Sequence, residues 1–211
     1  MYQCTMQDAV VTIVPTSRYG KEFDTATVQT YFQLSSQLPE EEEFLVPSLE
    51  KIPEEDLRLF RAGNVEFAPI PKSVVAQEIK DFQEQVASGN KEEAKSDAFL
   101  GLASLYMQPV KMQPVSGNVY QLNYQYSIYP ESDGHFYVRA TIPFRGFKMD
   151  RGTVRFTTVL PAGAKYDSEG TKGEAIQGQV LEEQAETFQN GLTVLGFQYT
   201  VDPDFVVKYK Y

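Results

Sequence analysis

The sequence predicts an α+β protein whose C-terminal part, residues 116–211, is an antiparallel β-sandwich-like domain. The N-terminal part, residues 1–115, is expected to hold two strands, a short helix and a helical hairpin. Two observations carry this reading. Apolar and polar residues alternate with a period of two in successive runs from Tyr120 to Tyr211, and Pro- and Gly-rich turns separate those runs. Helical spacing instead dominates the stretch between Pro53 and Met107.

Taken in order, Ala9–Val14 is rich in β-branched residues and ends at Pro15, which suits a short strand. Ala26, Val28, Thr30, Phe32 and Leu34 then alternate with polar partners as a half-buried strand. Four adjacent glutamates, Glu40 to Glu43, repel one another and predict an exposed loop. Pro53 is placed for the first turn of a short helix, Glu54, Glu55 and Asp56 favour its positive end, and Gly63 closes it. After Ser73, the residues Val75, Ile79, Phe82 and Val86 recur at helical spacing until Ser88-Gly89-Asn90. A second helix is expected from Lys91 to about Met107, completing the hairpin.

Beyond Pro109 and Pro114, Tyr120 to Ile128 reads as a strand, Pro130-Glu131-Ser132-Asp133-Gly134 as a turn, and Phe136 to Ile142 as the second arm of a β-hairpin. Val154 to Leu160 supplies another strand. Residues 164–178 have little periodicity and are expected to be the most mobile loop. Leu181, Ala185 and Phe188, stopped by Asn190-Gly191, suggest a short helix, and two further strands run from Thr193 and from Phe205 to the end. That last strand is expected either to pair within the sheet or to be available to a neighbouring copy. A boundary between two units would fall near Gln108 to Gly117, or the first strands join the later sheet and the helices form an insertion.

The chain of 211 residues carries a net charge of -10. Up to Val115 it has 10 basic and 18 acidic residues, and afterwards 9 and 11. Such a field repels phosphate backbones and anionic membrane surfaces, so neither nucleic acid nor membrane is expected as a partner. No apolar run approaches the ~20 residues of a membrane span, and no charged-then-apolar signal peptide opens the chain. Cys4 is the only cysteine and His135 the only histidine, so no intramolecular disulfide and no multi-Cys or multi-His metal site is expected. Nucleotide loops of the G-x-G-x-x-G and P-loop types and the G-x-S-x-G elbow are missing from the sequence, and no cofactor is expected.

These observations favour a non-enzymatic structural or assembly component of the virion, fibre or surface-layer type, whose partners are copies of itself or other structural proteins. A ligand- or carbohydrate-binding β module comes second, although the chain has no Trp to stack on sugars. A hydrolase using two carboxylates from among Asp167, Glu169, Glu174, Glu182 and Glu186 comes third. The candidate binding face consists of Tyr120, Tyr124, Tyr126, Tyr209 and Tyr211, where Tyr combines apolar area with a polar tip, together with Arg139 and Arg145 of a basic cluster that also holds Lys148, Arg151 and Arg155. Core packing competes with this for the tyrosines.

Overall fold

The structure is a computed structural model that describes residues 2–63, 65, 67–77, 79–80, 101–141, 144, 146–175, 180–181, 183–200 and 203–211. Residues 81–100 of the expected helical hairpin, Arg145 and Glu182 lie outside the described residues. In chain order the elements are β1 (Tyr2–Val14), β2 (Asp24–Leu34), β3 (Phe44–Pro47), α1 (Glu54–Ala62), β4 (Ile70–Pro71), β5 (Met107–Val110), β6 (Gln113–Ser116), β7 (Val119–Ile128) and β8 (Phe136–Thr141). They continue with β9 (Phe147–Lys148), β10 (Thr153–Leu160), β11 (Lys165–Tyr166), β12 (Lys172–Ala175), β13 (Val180–Leu181), β14 (Gln184–Thr187), β15 (Thr193–Tyr199) and β16 (Pro203–Lys210). Residues 72–77, 79–80 and 101–104 are also helical. The fold is β-rich.

Among the described residues the strands form three sheets. The largest runs β14-β15-β10-β1-β2-β7-β6, with β9 beside the start of β1. The second places β16 between β8 on one side and β11 and β12 on the other, with β13 beyond β12. The third is small, β4-β3-β5. The first two strands of the chain thus sit in the middle of the largest sheet: β1 pairs in parallel with β10, and β2 pairs antiparallel with β7. A cut near residue 115 would separate hydrogen-bonded neighbours.

Alternation explains which face of each strand is buried. Ala9, Val11 and Ile13 of β1, Ala26, Val28 and Phe32 of β2, and Val154, Phe156 and Leu160 of β10 all point inward. They share one apolar core with Phe136 and Val138 of β8 and Phe205, Val207 and Tyr209 of β16. Phe156 stacks on Phe205 at 5.1 Å, and Phe197 lies 5.0 Å from Phe205. Burying each such ring contributes ~2 kcal/mol, more than a typical net hydrogen bond, so this face-to-face contact joins the sheets. A register shift between Cys4 and Met6 lets both Cys4 and Gln7 point inward. Gly152 packs there so closely that a Cβ would lie 2.5 Å from the Thr5 carbonyl oxygen.

Several expectations are corrected. The strands on either side of the Pro130–Gly134 turn do not form a hairpin: β7 pairs with β2 and β8 with β16, in different sheets. The turn closes only locally, with Glu131 N–H donating to the His135 carbonyl at 2.8 Å. The short helix expected around Leu181–Phe188 is instead β13 and β14. Asn190-Gly191 is a hairpin turn, not a helix stop, with Gly191 at φ 81° and the Phe188 N–H donating to the Leu192 carbonyl. Ala185 and Phe188 are exposed, so no buried helical face exists there. The helix expected to reach Met107 ends at residue 104, and Met107 opens β5, which pairs with β3. Within the expected loop 164–178, β11 and β12 are strands of the second sheet.

Candidate functional site

The site is built where β7 and β8 part toward different sheets. An open cleft of about 540 Å³ lies there, walled by α1, Pro47, Ser48, Ile52, Val65 and Phe67 on one side and by Tyr126 to Tyr129, the following turn and β8 on the other. Its helical wall follows from local sequence. Pro53 caps α1, Glu54, Glu55 and Asp56 meet the positive end of the helix, Arg58 pairs with Glu54 at 3.2 Å, and the Gly63 N–H closes the last turn onto the Leu59 carbonyl. That arrangement buries Phe60, which meets Phe67 edge-on at 4.9 Å and Tyr106 at 5.9 Å. With Ile52 and Ala103 these rings form a satellite core separate from the main one.

Polar groups from both walls line the rest of the cleft. Arg61, from the last turn of α1, donates to the Pro130 carbonyl at 2.7 Å and pairs with Glu131 at 3.0 Å, so the helix is tied to the turn. Arg139 of β8 lies 3.9 Å from the other Glu131 oxygen, and its guanidinium stands 4.7 Å from the Tyr137 ring centre. The Lys208 ammonium lies 5.7 Å from that same ring. Tyr129 accepts the Ile52 N–H at 3.0 Å and packs on Phe23. Tyr106 donates to Asp56, and that bond, with burial, pushes the phenol up to about 12. The Ser127 hydroxyl also faces this region; its oxygen is buried and makes no hydrogen bond.

The cleft's carboxyl groups are both engaged. Glu131 sits between two guanidinium groups, and the His135 backbone N–H, 3.0 Å from Asp133 Oδ1, holds the Asp133 carboxyl below its ordinary range. His135 Nδ1 lies 3.0 Å from Asp133 Oδ2 but forms no well-aligned hydrogen bond. A general acid needs the opposite shift, a carboxyl held protonated near neutral pH. What the arrangement offers is ring faces, hydroxyls and guanidinium edges.

The sequence-derived candidates fall in different places. Tyr126 lines the cleft, and Tyr124 with Tyr126 lines an adjoining void of about 20 Å³ that reaches Phe67 and the core ring Phe156. Arg139 borders both. Tyr120 and Tyr209 are core residues, which corrects their assignment to a binding face. The Tyr120 hydroxyl accepts the Leu38 N–H. Tyr209 and Tyr211 both donate to Asp24 Oδ2, at 2.8 and 2.7 Å, while Ser17 donates twice to Oδ1. Asp24 is fully buried, and this cluster fastens the end of β16 to the start of β2. The basic cluster disperses: Arg155 pairs with Asp8 on the outer face of the largest sheet and Lys148 with Asp150. Of the hydrolase candidates, Asp167 pairs with Lys208, Glu174 pairs with Lys172, Glu186 is exposed on β14, and none of the described ones lines the cleft. Arg61, Tyr106, Tyr129, Glu131 and Tyr137 escaped sequence reasoning because only the splitting of β7 from β8 brings them together. No family model matches the chain and no curated protein matches it, so its functional reading rests on this geometry.

Proposed function

We propose that the protein is a non-enzymatic binding module whose site is the cleft between α1 and the diverging ends of β7 and β8. The observation carrying this is the cleft's make-up: a volume of about 540 Å³ that combines apolar side chains of Phe60, Phe67 and Leu57 with hydroxyls and guanidinium groups of Tyr126, Tyr137, Arg61 and Arg139. Ligand sites combine apolar area with a few oriented polar groups in this way. We read the surrounding fold as a two-sheet sandwich with the helical segments inserted between β3 and β5. Of the two expectations for the last strand, pairing within the sheet describes β16, which is flanked by strands on both sides.

The test is chemical-shift mapping with p-hydroxyphenylacetate, which carries one ring and one carboxylate. Saturable shifts at Tyr126, Tyr129 and Tyr137, weakened by Arg139→Ala, are expected. Shifts scattered over the surface, or indifferent to that substitution, would sink the reading. A glycan array with Tyr126→Ala as control separates sugars from other ligands.

A further inference from the structure

Resting on that reading, we propose that the cleft's occupant is an extended peptide, added as a strand to the edge of β7 from Asn123 to Ser127, with which no described strand pairs. The backbone directions follow from one hydrogen bond. Leu34 N–H donates to the Asn118 carbonyl at 3.0 Å, and Gln33 pairs with Val119 in the same register, which continues without a shift to Asp24 opposite Ile128. In an antiparallel pair the bonded residues alternate, so Tyr120, Leu122, Tyr124, Tyr126 and Ile128 turn their backbone groups toward β2. Val119, Gln121, Asn123, Gln125 and Ser127 turn theirs the other way. There β6 covers Val119 and Gln121, its pairing ending at Gln121 opposite Gln113.

Among the described residues, no strand pairs with Asn123, Gln125 or Ser127 on that side. Each offers one N–H and one C=O, repeating every ~6.8 Å, which is the two-residue step of an extended chain. A peptide strand matches that spacing with up to six hydrogen bonds.

This edge also lacks the usual protection. Proteins block pairing at edges with Pro, charges or bulges. The neighbouring β6 carries Pro114 and an irregular register, and the opposite edge strand, β14, carries Glu186. Asn123, Gln125 and Ser127 are uncharged, and the register opposite them is regular. The edge runs into the cleft at Ser127, whose buried hydroxyl has no partner. Alternate side chains of an added strand would point between the sheets toward Tyr126, Tyr137 and Arg139, and the others would extend the outer face.

The experiment is residue-resolved amide hydrogen exchange on the full chain, alone and with an acetylated, amidated heptapeptide of alternating threonine and valine. In the free chain, Asn123, Gln125 and Ser127 should exchange faster than Leu122, Tyr124 and Tyr126. The peptide at millimolar concentration should slow the first three ~10-fold, as expected for amides newly bonded in a strand. The same peptide N-methylated at every residue should leave them unchanged, because both of its bonding edges are then blocked. Peptide-insensitive amides in a chain that still binds p-hydroxyphenylacetate in the cleft would overturn strand addition while leaving the cleft reading intact. Protection of the three amides in the free monomer would overturn it too, as would a concentration-dependent dimer that protects them, which would make a second copy the occupant.

Discussion

Asp24 shows how much one buried carboxyl group can organise. Its four hydrogen bonds join residues that are 7, 185 and 187 positions apart in sequence. Tyr209→Phe removes one of two hydroxyls on Oδ2 and should lower the unfolding free energy by about 2 kcal/mol in urea titrations, the usual value for a bond to a charged group. The same pair sets an alkaline limit. Burial first, and Asp24 next, hold both the Tyr209 and Tyr211 phenols above the ordinary value of 10.0. The unfolded chain sheds these protons above pH ~10 while the folded chain keeps them. The contribution is therefore complete below that pH and is lost as pH rises past it. Thermal melts above pH ~10 should fall less steeply for Tyr209→Phe than for the unaltered chain. Thr158 presents the opposite case, a core hydroxyl with no hydrogen-bond partner. Thr158→Val should raise stability by ~1 kcal/mol, because the desolvation cost of that hydroxyl disappears. None of this was legible in the sequence: Tyr209 stood in an alternating run as any apolar residue would, and nothing local marks Asp24 as the partner of residues 185 and 187 positions away.

Strands with strong alternation were readable, because one buried face imposes the period of two whatever the neighbours are. β2, β7, β10, β15 and β16 all lie where the alternating runs placed them, within a few residues. Short strands such as β3, β4 and β5 were not readable. They have too few residues to show a period, and they include Pro47, Pro71 and Pro109, which sequence logic assigns to loops. The misread helix near Leu181 shows the limit of spacing alone, since an apolar residue every three or four positions buries nothing unless tertiary partners exist. At this scale the bulge in β1 makes a sharp prediction. A methyl group on residue 152 has no room beside the Thr5 carbonyl, so Gly152→Ala should cost ~2 kcal/mol, typical of overpacking, with the loss read from its thermal midpoint. The failed hairpin reading matters most for function, because a hairpin would have closed the space that the cleft occupies.

At the scale of the molecule, sequence neighbours proved a poor guide to sheet neighbours. Pairing between strands more than a hundred residues apart leaves no local trace, so the central place of β1 could only be offered as an alternative to two separate units. If the ladders from β1 to β10 and from β2 to β7 carry the fold, residues 116–211 expressed alone should lack a cooperative unfolding transition and dispersed amide resonances, and a well-folded fragment would contradict this. The parallel pairing of β1 with β10 also bears on synthesis. β1 and β2 can pair as soon as both leave the ribosome, but the other edge of β1 must wait for a strand that begins at Thr153. At ~10 residues per second that wait is on the order of ten seconds. Throughout it the nascent chain presents Val10, Val11 and Ile13 on an open strand, a template for any other growing copy on the same message. An open β1 edge of that duration is a point at which nascent chains can pair wrongly before the fold is complete.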